Sequence, residues 1–318
     1  MALVLLVLTR FLFTTAATCN PVPFALSITD VQVDPEIPDS FMRGIPAQIG
    51  TPPQHIVMLP WAELNNTWIY DQQTYCDPTI IFSDTICQVR RGHPYSDGNS
   101  TSFVQSLDII SAGGSSQETN AFGSEVGIAK LIDTSLAGIE FFNVASTSQL
   151  SRFPIGIPRL GWDAGYTTLH ALGMGTNSTY MNNLRSTGRI GARVWSIFWG
   201  RMWTTNNPLD GQVVLGGYDE SKVIGQNHTQ ALNYGATGCW TGMKVNIADV
   251  LVNFRNGKDA SILQANTAIP TCIVPHRQLL LEVPGTVYDN FEKVTNTTNI
   301  GVSYGLHWSA HLFDMGTQ

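Results

Sequence analysis

Short apolar runs broken at regular intervals by turn residues constrain this chain more than any other feature. Over residues 41–70 and again over 194–223, runs rich in Val, Ile, Phe and Trp alternate with Gly, Pro and Asn. This is the signal of strands joined by tight turns. No stretch sustains the apolar period of a long helix. Two short helices are predicted. One covers 178–184, with Tyr180, Met181 and Leu184 on one face and Gly188 available as a C-cap. The other begins at Thr286, where Asp289 three residues on suggests a capping box and Val287, Phe291 and Val294 share a face. Both read as packing helices. The Ser- and Gly-rich segment 97–119 reads as a mobile hairpin or loop. The expected class is all-β.

With 318 residues, the chain is long enough for a bilobed β unit whose core needs no metal or cofactor, and none is expected. Charged residues make up 13% and hydrophobic residues 43% of it, a folded rather than a disordered composition. The formal charge of -7, with no basic run longer than Arg90-Arg91, argues against nucleic acid as a partner.

Residues 1–19 hold a short apolar stretch, interrupted by Arg10, and then small residues around Ala16 and Ala17, which reads as a secretory signal peptide. Nothing later approaches the roughly 18 apolar residues a spanning helix needs, so no membrane span is expected. Of five cysteines, Cys19 lies at the expected cleavage boundary. Cys76, Cys87, Cys239 and Cys272 remain as an even four for an oxidising compartment, with three pairings open. Asn-x-Ser/Thr sequons begin at Asn65, Asn99, Asn177, Asn227 and Asn296. Their number agrees with secretion and N-glycosylation.

The string Gln48-Ile49-Gly50-Thr51-Pro52-Pro53-Gln54 is by itself a strand running into a tight turn. Together with the strands after it, this string resembles the opening of the pepsin-like aspartic protease family. In that family such a turn leads through an apolar strand to an Asp-Thr-Gly-Ser loop and a Trp-containing strand. Here the strands are His55-Ile56-Val57-Met58-Leu59-Pro60 and Thr67-Trp68-Ile69-Tyr70. Ala171-Leu172-Gly173-Met174-Gly175, with the helix after it and Gly188-Arg189-Ile190, is similar to the family's Gly-rich turn and following helix. Trp195-Ser196-Ile197-Phe198-Trp199 resembles the strand that crosses between lobes, and Asp210-Gly211-Gln212-Val213-Val214-Leu215-Gly216-Gly217-Tyr218-Asp219 the hairpin after it. The resemblance implies a bilobed pepsin-like fold, with an N-terminal β lobe over 20–193 and a C-terminal lobe over 194–318. It also implies disulfides Cys76–Cys87 and Cys239–Cys272.

The chain departs from that family where the chemistry sits. The family's two aspartates face one water, one ionised and one protonated, their closeness driving the two pKa values apart. Trp61-Ala62-Glu63-Leu64 stands where Asp-Thr-Gly-Ser is expected, so Trp61 replaces the first aspartate. Glu63 reads as a solvated loop carboxylate, and a glycan at Asn65 would crowd the cleft. The second aspartate should follow the strand near Cys272, where Val274 takes its place; a shift of two residues would put His276 there. Asp133-Thr134-Ser135 and Asp314-Met315-Gly316-Thr317 are partial copies of the motif that fall far from either position. No tyrosine lies between Tyr95 and Tyr166, so the substrate-covering flap is altered as well. Only 44 residues follow Val274, and 301–318 shows no alternating pattern, which leaves the C-terminal lobe expected to be incomplete.

These features lead to a secreted or cell-surface-associated glycoprotein, monomeric and catalytically inactive, that binds a peptide or other ligand in the inter-lobe cleft. One alternative is an aspartic endopeptidase with a non-standard catalytic pair, and another is a truncated remnant without function. Metal catalysis finds no support, since the seven histidines are scattered and no His-Glu-x-x-His occurs.

Overall fold

The computed structural model describes residues 21–73, 83–116, 135–145, 149–159, 169–200, 209–234, 239, 241–254, 256–275, 281, 283–303 and 309–312. Its elements are mostly strands, as expected, with three short α-helices among the described residues. Strand β1 (Phe24–Gln32) alternates buried Leu26 and Ile28 with more exposed neighbours, the period-2 pattern of a strand with one face on a core. Strands β2 (Phe41–Ile49) and β3 (Gln54–Trp61) form an antiparallel hairpin in which Ile49 faces Gln54, with the Gly50-Thr51-Pro52-Pro53 turn between them. From Ile56 to Trp61, β3 is buried at every residue, as a strand covered on both faces must be.

A ten-stranded sheet carries the N-terminal half. It adds β4 (Thr67–Trp68), β5 (Val104–Ser106), β6 (Leu136–Asn143), β7 (Leu150–Ile157), β8 (His170–Gly173), β9 (Trp195–Phe198) and β10 (Gly211–Leu215). The strand order is β5-β6-β7-β4-β8-β3-β2-β1-β10-β9. β9 and β10 follow residue 194 in the chain, and they join this sheet through the pairing of β10 with β1. Strand β8 lies between β3 and β4, parallel to β3 and antiparallel to β4. The chain therefore leaves β3 at Trp61, turns through 62–66, and returns on the other side of β8. The main core joins Leu26, Ile28, Ile45, Met58, Phe142, Phe153, Tyr180 and Leu215, with the rings of Phe142 and Phe153 stacked 4.9 Å apart.

Further along, β11 (Lys244–Ile247) pairs with β14 (Ile269–Cys272), β12 (Leu251–Asn253) with β13 (Asp259–Ser261), and β15 (Thr298–Ser303) with β16 (Ser309–Leu312). The last hairpin corrects the expectation that 301–318 supplies no strand. Helix α1 (Asp84–Arg90) was not expected, because it buries only Cys87 and so has no apolar period. Its ends hold it instead, with Ser83 accepting from the Ile86 amide, Asp84 in the first turn and Arg90 in the last. Helix α2 (Thr179–Ser186) buries Tyr180, Met181 and Leu184 as expected, and Gly188 beyond it takes a positive φ of 69°. In α3 (Gly285–Thr295) the capping box is absent, because the N-cap is Pro284 and Thr286 already lies inside the helix. Its face of Val287, Phe291 and Val294 packs on Ile262 and Leu263 as the pattern predicts.

Candidate functional site

The loop over 61–64, where the family resemblance leads one to expect Asp-Thr-Gly-Ser, is sealed against solvent. Trp61 is 5% exposed and packs in a cluster with Leu64, Trp68, Tyr70, Ile109, Ala137 and Ala171. Its carbonyl accepts from the Met174 amide at 2.9 Å, and the Leu64 carbonyl accepts from the Gly175 amide at 2.8 Å. Gly173 is required here, since a Cβ on it would lie 2.3 Å from the Asn66 carbonyl oxygen. The backbones of β8 and of the loop meet that closely.

Below the loop runs a buried polar network. The Asn66 amide donates to the Ser115 carbonyl at 2.8 Å, and Asn66 Oδ1 accepts from the Ser115 amide at 2.7 Å and from the Thr179 hydroxyl at 2.8 Å. The Thr179 amide donates to the Asn65 carbonyl at 2.8 Å, and the Asn177 amide to Asn65 Oδ1 at 2.9 Å. Segment 107–116 is thereby tied to the loop. The described part of 97–119 is a short 3-10 turn at Asp97–Asn99, strand β5 and a set of turns.

Two further expectations are corrected. Glu63 is 3% exposed, so it is a buried side chain and not a solvated carboxylate. Asn65 has no solvent exposure, and its side chain accepts a hydrogen bond inside the fold, so this site has no room for a glycan. Asn99, Asn177, Asn227 and Asn296 are exposed. Val274 is half-buried just beyond β14, where Trp199 Nε1 donates to the Pro275 carbonyl at 2.9 Å. His276, Asp133, Thr134 and Asp314-Met315-Gly316-Thr317 lie outside the described residues. A disulfide joins Cys239 to Cys272. Cys87 is disulfide-bonded, and Cys76 lies outside the described residues.

Two buried polar centres in the ten-stranded sheet were not foreseen. Glu140 on β6 is fully buried, and its carboxylate accepts from the Tyr95 and Ser102 hydroxyls, each at 2.5 Å, and from the Phe141 amide at 2.6 Å. Burial, reinforced by the hydrogen bond to Glu140, pushes the Tyr95 hydroxyl pKa upward. His170, opening β8, accepts the Tyr70 amide at Nδ1 (2.9 Å) and faces the His93 carbonyl with Nε2 (2.9 Å), which sets the neutral Nε2–H tautomer. Burial lowers its pKa to about 4 against the support of the His93 and Gly92 carbonyls, and the nearby Arg91 and His93 charges lower it further. An acid between Ile139 and Phe141, and a histidine between Leu169 and Ala171, were the available signals: polar residues set inside apolar strands.

A pocket of about 260 Å³ lies against α1, lined by Asp71, Asp84, Gln88, Arg91 and Pro94 among others. It holds neither Trp61 nor Val274. Arg91 stacks over the Tyr70 ring at 4.1 Å, and Asp71 pairs with Arg159 at 2.5 Å. Among the described residues no helix is long and apolar enough to cross a membrane.

A family model described as eukaryotic aspartyl protease matches residues 44–271, more than two thirds of the chain. No curated protein matches it. Among solved structures the chain is similar to the aspartic proteinase from Irpex lacteus, with 15% identity and a TM-score of 0.48 over 87% of this chain and 69% of that one. On the extent of the family match, the chain belongs to the eukaryotic aspartyl protease family.

Proposed function

We propose that this chain is a catalytically inactive member of its family, secreted as a monomeric glycoprotein and acting by binding a peptide or other ligand in the cleft between its lobes. One observation carries the reading. The residue at the end of β3, where the family's first aspartate is expected, is an indole packed into an apolar cluster. An indole neither takes a proton from water nor polarises a carbonyl, and family chemistry needs two carboxylates sharing one proton. Val274 adds no titratable group at the second position. Secretion is supported by the N-terminal apolar stretch, the disulfide and four exposed sequons at Asn99, Asn177, Asn227 and Asn296.

The burial of Glu63 favours a second reading, an endopeptidase in which this carboxylate serves as half of a non-standard pair. The test is cleavage of an unstructured protein by the purified chain between about pH 2 and 6, with and without a pepstatin-type transition-state mimic. No cleavage from a folded sample is expected. Inhibitor-sensitive cleavage that Glu63→Gln abolishes establishes the second reading and overturns the first.

A further inference from the structure

Residues 220–233 are the longest unbroken exposed run among the described residues, fourteen in succession. After the 3-10 turn at Glu220–Lys222, the described residues before β11 take no regular structure. The Val223 amide still donates to the Glu220 carbonyl, and the Asn233 amide donates to the Gly242 carbonyl. Between these two anchors, 224–232 joins no backbone hydrogen bond to the described residues. Within it, Ile224 is 96% exposed and Leu232 54% exposed. A burial-driven fold leaves a large aliphatic side chain that bare only where nothing packs on the chain.

An endopeptidase binds its substrate as an extended strand over several residues on each side of the cut bond. Nicking of folded proteins therefore concentrates where the backbone is exposed and its hydrogen bonds are not committed. We infer that 224–232 is a proteolytic processing site, cut by endopeptidases that accept a large aliphatic side chain just after the scissile bond. The bonds are Val223–Ile224 and Ala231–Leu232. In the reaction, water adds its hydroxyl to the carbonyl carbon as the C–N bond breaks. The proton goes to the departing amine, leaving a new carboxylate and a new N-terminus.

The cysteine pattern gives this cut a consequence. Cys239 and Cys272 are joined to each other downstream of the segment, while Cys19, Cys76 and Cys87 all lie upstream. Whichever upstream cysteine Cys87 bonds, no disulfide spans the cut. Processing therefore leaves two pieces without a covalent link: one with the ten-stranded sheet through β10, the other with β11 to β16, α3 and their own disulfide.

The test uses the folded full chain, freed of N-glycans because the Asn227 sequon lies between the two bonds, and a trace of thermolysin, which cuts on the N-terminal side of large aliphatic residues. The first cut is mapped by intact mass and N-terminal sequencing. The expected result is a first cut before Ile224 or Leu232, giving two bands on a denaturing gel without reductant. An Ile224→Asp, Leu232→Asp double variant, both positions being exposed, should keep the parent's thermal midpoint and be nicked there at least tenfold more slowly. A first cut outside 220–233, a single non-reduced band, or a double variant cut at the parent's rate overturns the proposal.

Discussion

Trp61 closes β3 with its backbone in the sheet and its indole buried. Its backbone keeps the β3–β8 pairing, opposite Gly173, and its side chain adds an apolar surface to the cluster around Trp68 and Ile109. Trp61→Ala is expected to cost about 3–5 kcal/mol, the range for emptying a large buried aromatic site, read as a lower urea midpoint. Trp61→Asp should destabilise at least as much and give no cleavage, because it buries a charge among apolar groups. His170 supplies the pH dependence. Its folded pKa of about 4 lies below the ordinary 6.5, so below pH 6.5 the unfolded chain binds the proton more readily. The stabilisation is complete above about pH 6.5 and is lost as pH falls towards 4, about 3 kcal/mol in all by the shift. Urea midpoints at pH 7 and 4.5 check the direction, and imidazole nitrogen shifts should still show the neutral ring at pH 5. The end of β3 at Trp61 was legible by counting from Gln54, since strand length fixes where the loop begins. The burial of Asn65 was not, because the groups bonded to it, Asn177 and Thr179, lie more than a hundred residues away.

Among the elements, those that pack through a repeating apolar face were the legible ones. α2 and the face of α3 follow from 3.6-residue periodicity, and β1 from alternation. α1, held mainly by its end residues, and the β15–β16 hairpin carry no such period and were missed. The loop after β3 depends on the connections between elements. Asn66→Ala would remove the Asn66 bonds to the Ser115 amide and carbonyl and to the Thr179 hydroxyl, leaving the Ser115 amide its longer contact to that hydroxyl at 3.3 Å. The expected loss is on the order of 2–3 kcal/mol, with faster hydrogen exchange at the Ser115 amide. Ser178 caps α2 by accepting from the Met181 amide and also donates to the Gly173 carbonyl. Ser178→Ala should cost about 1–2 kcal/mol in thermal or urea unfolding and loosen α2 against β8.

At the scale of the molecule, the ten-stranded sheet and the small two-stranded sheets after β10 differ in how they are held together. The first buries a large shared core, while the second packs a small one around Ile262, Leu263 and Val287. A small core leans more on a covalent tie. The Cys239–Cys272 bridge spans 33 residues, for which chain entropy gives about 4 kcal/mol. Replacing both cysteines with serine should lower the unfolding midpoint of the β11–β14 region by a corresponding amount, with little effect on exchange-protected amides of β2 and β3.

The amino-acid sequence by itself determined the strand-rich class, the family motifs, the end of β3 at Trp61 and the faces of α2 and α3. These rest on local spacing, and local spacing survives in a one-dimensional string. Tertiary structure alone decided which polar groups are buried: Asn65 closed to a glycan, Glu63 withdrawn from water, Glu140 bound by Tyr95 and Ser102, and His170 held neutral. Burial is set by residues distant in the chain that fold over one another, and no pattern within a short window encodes which of them will meet.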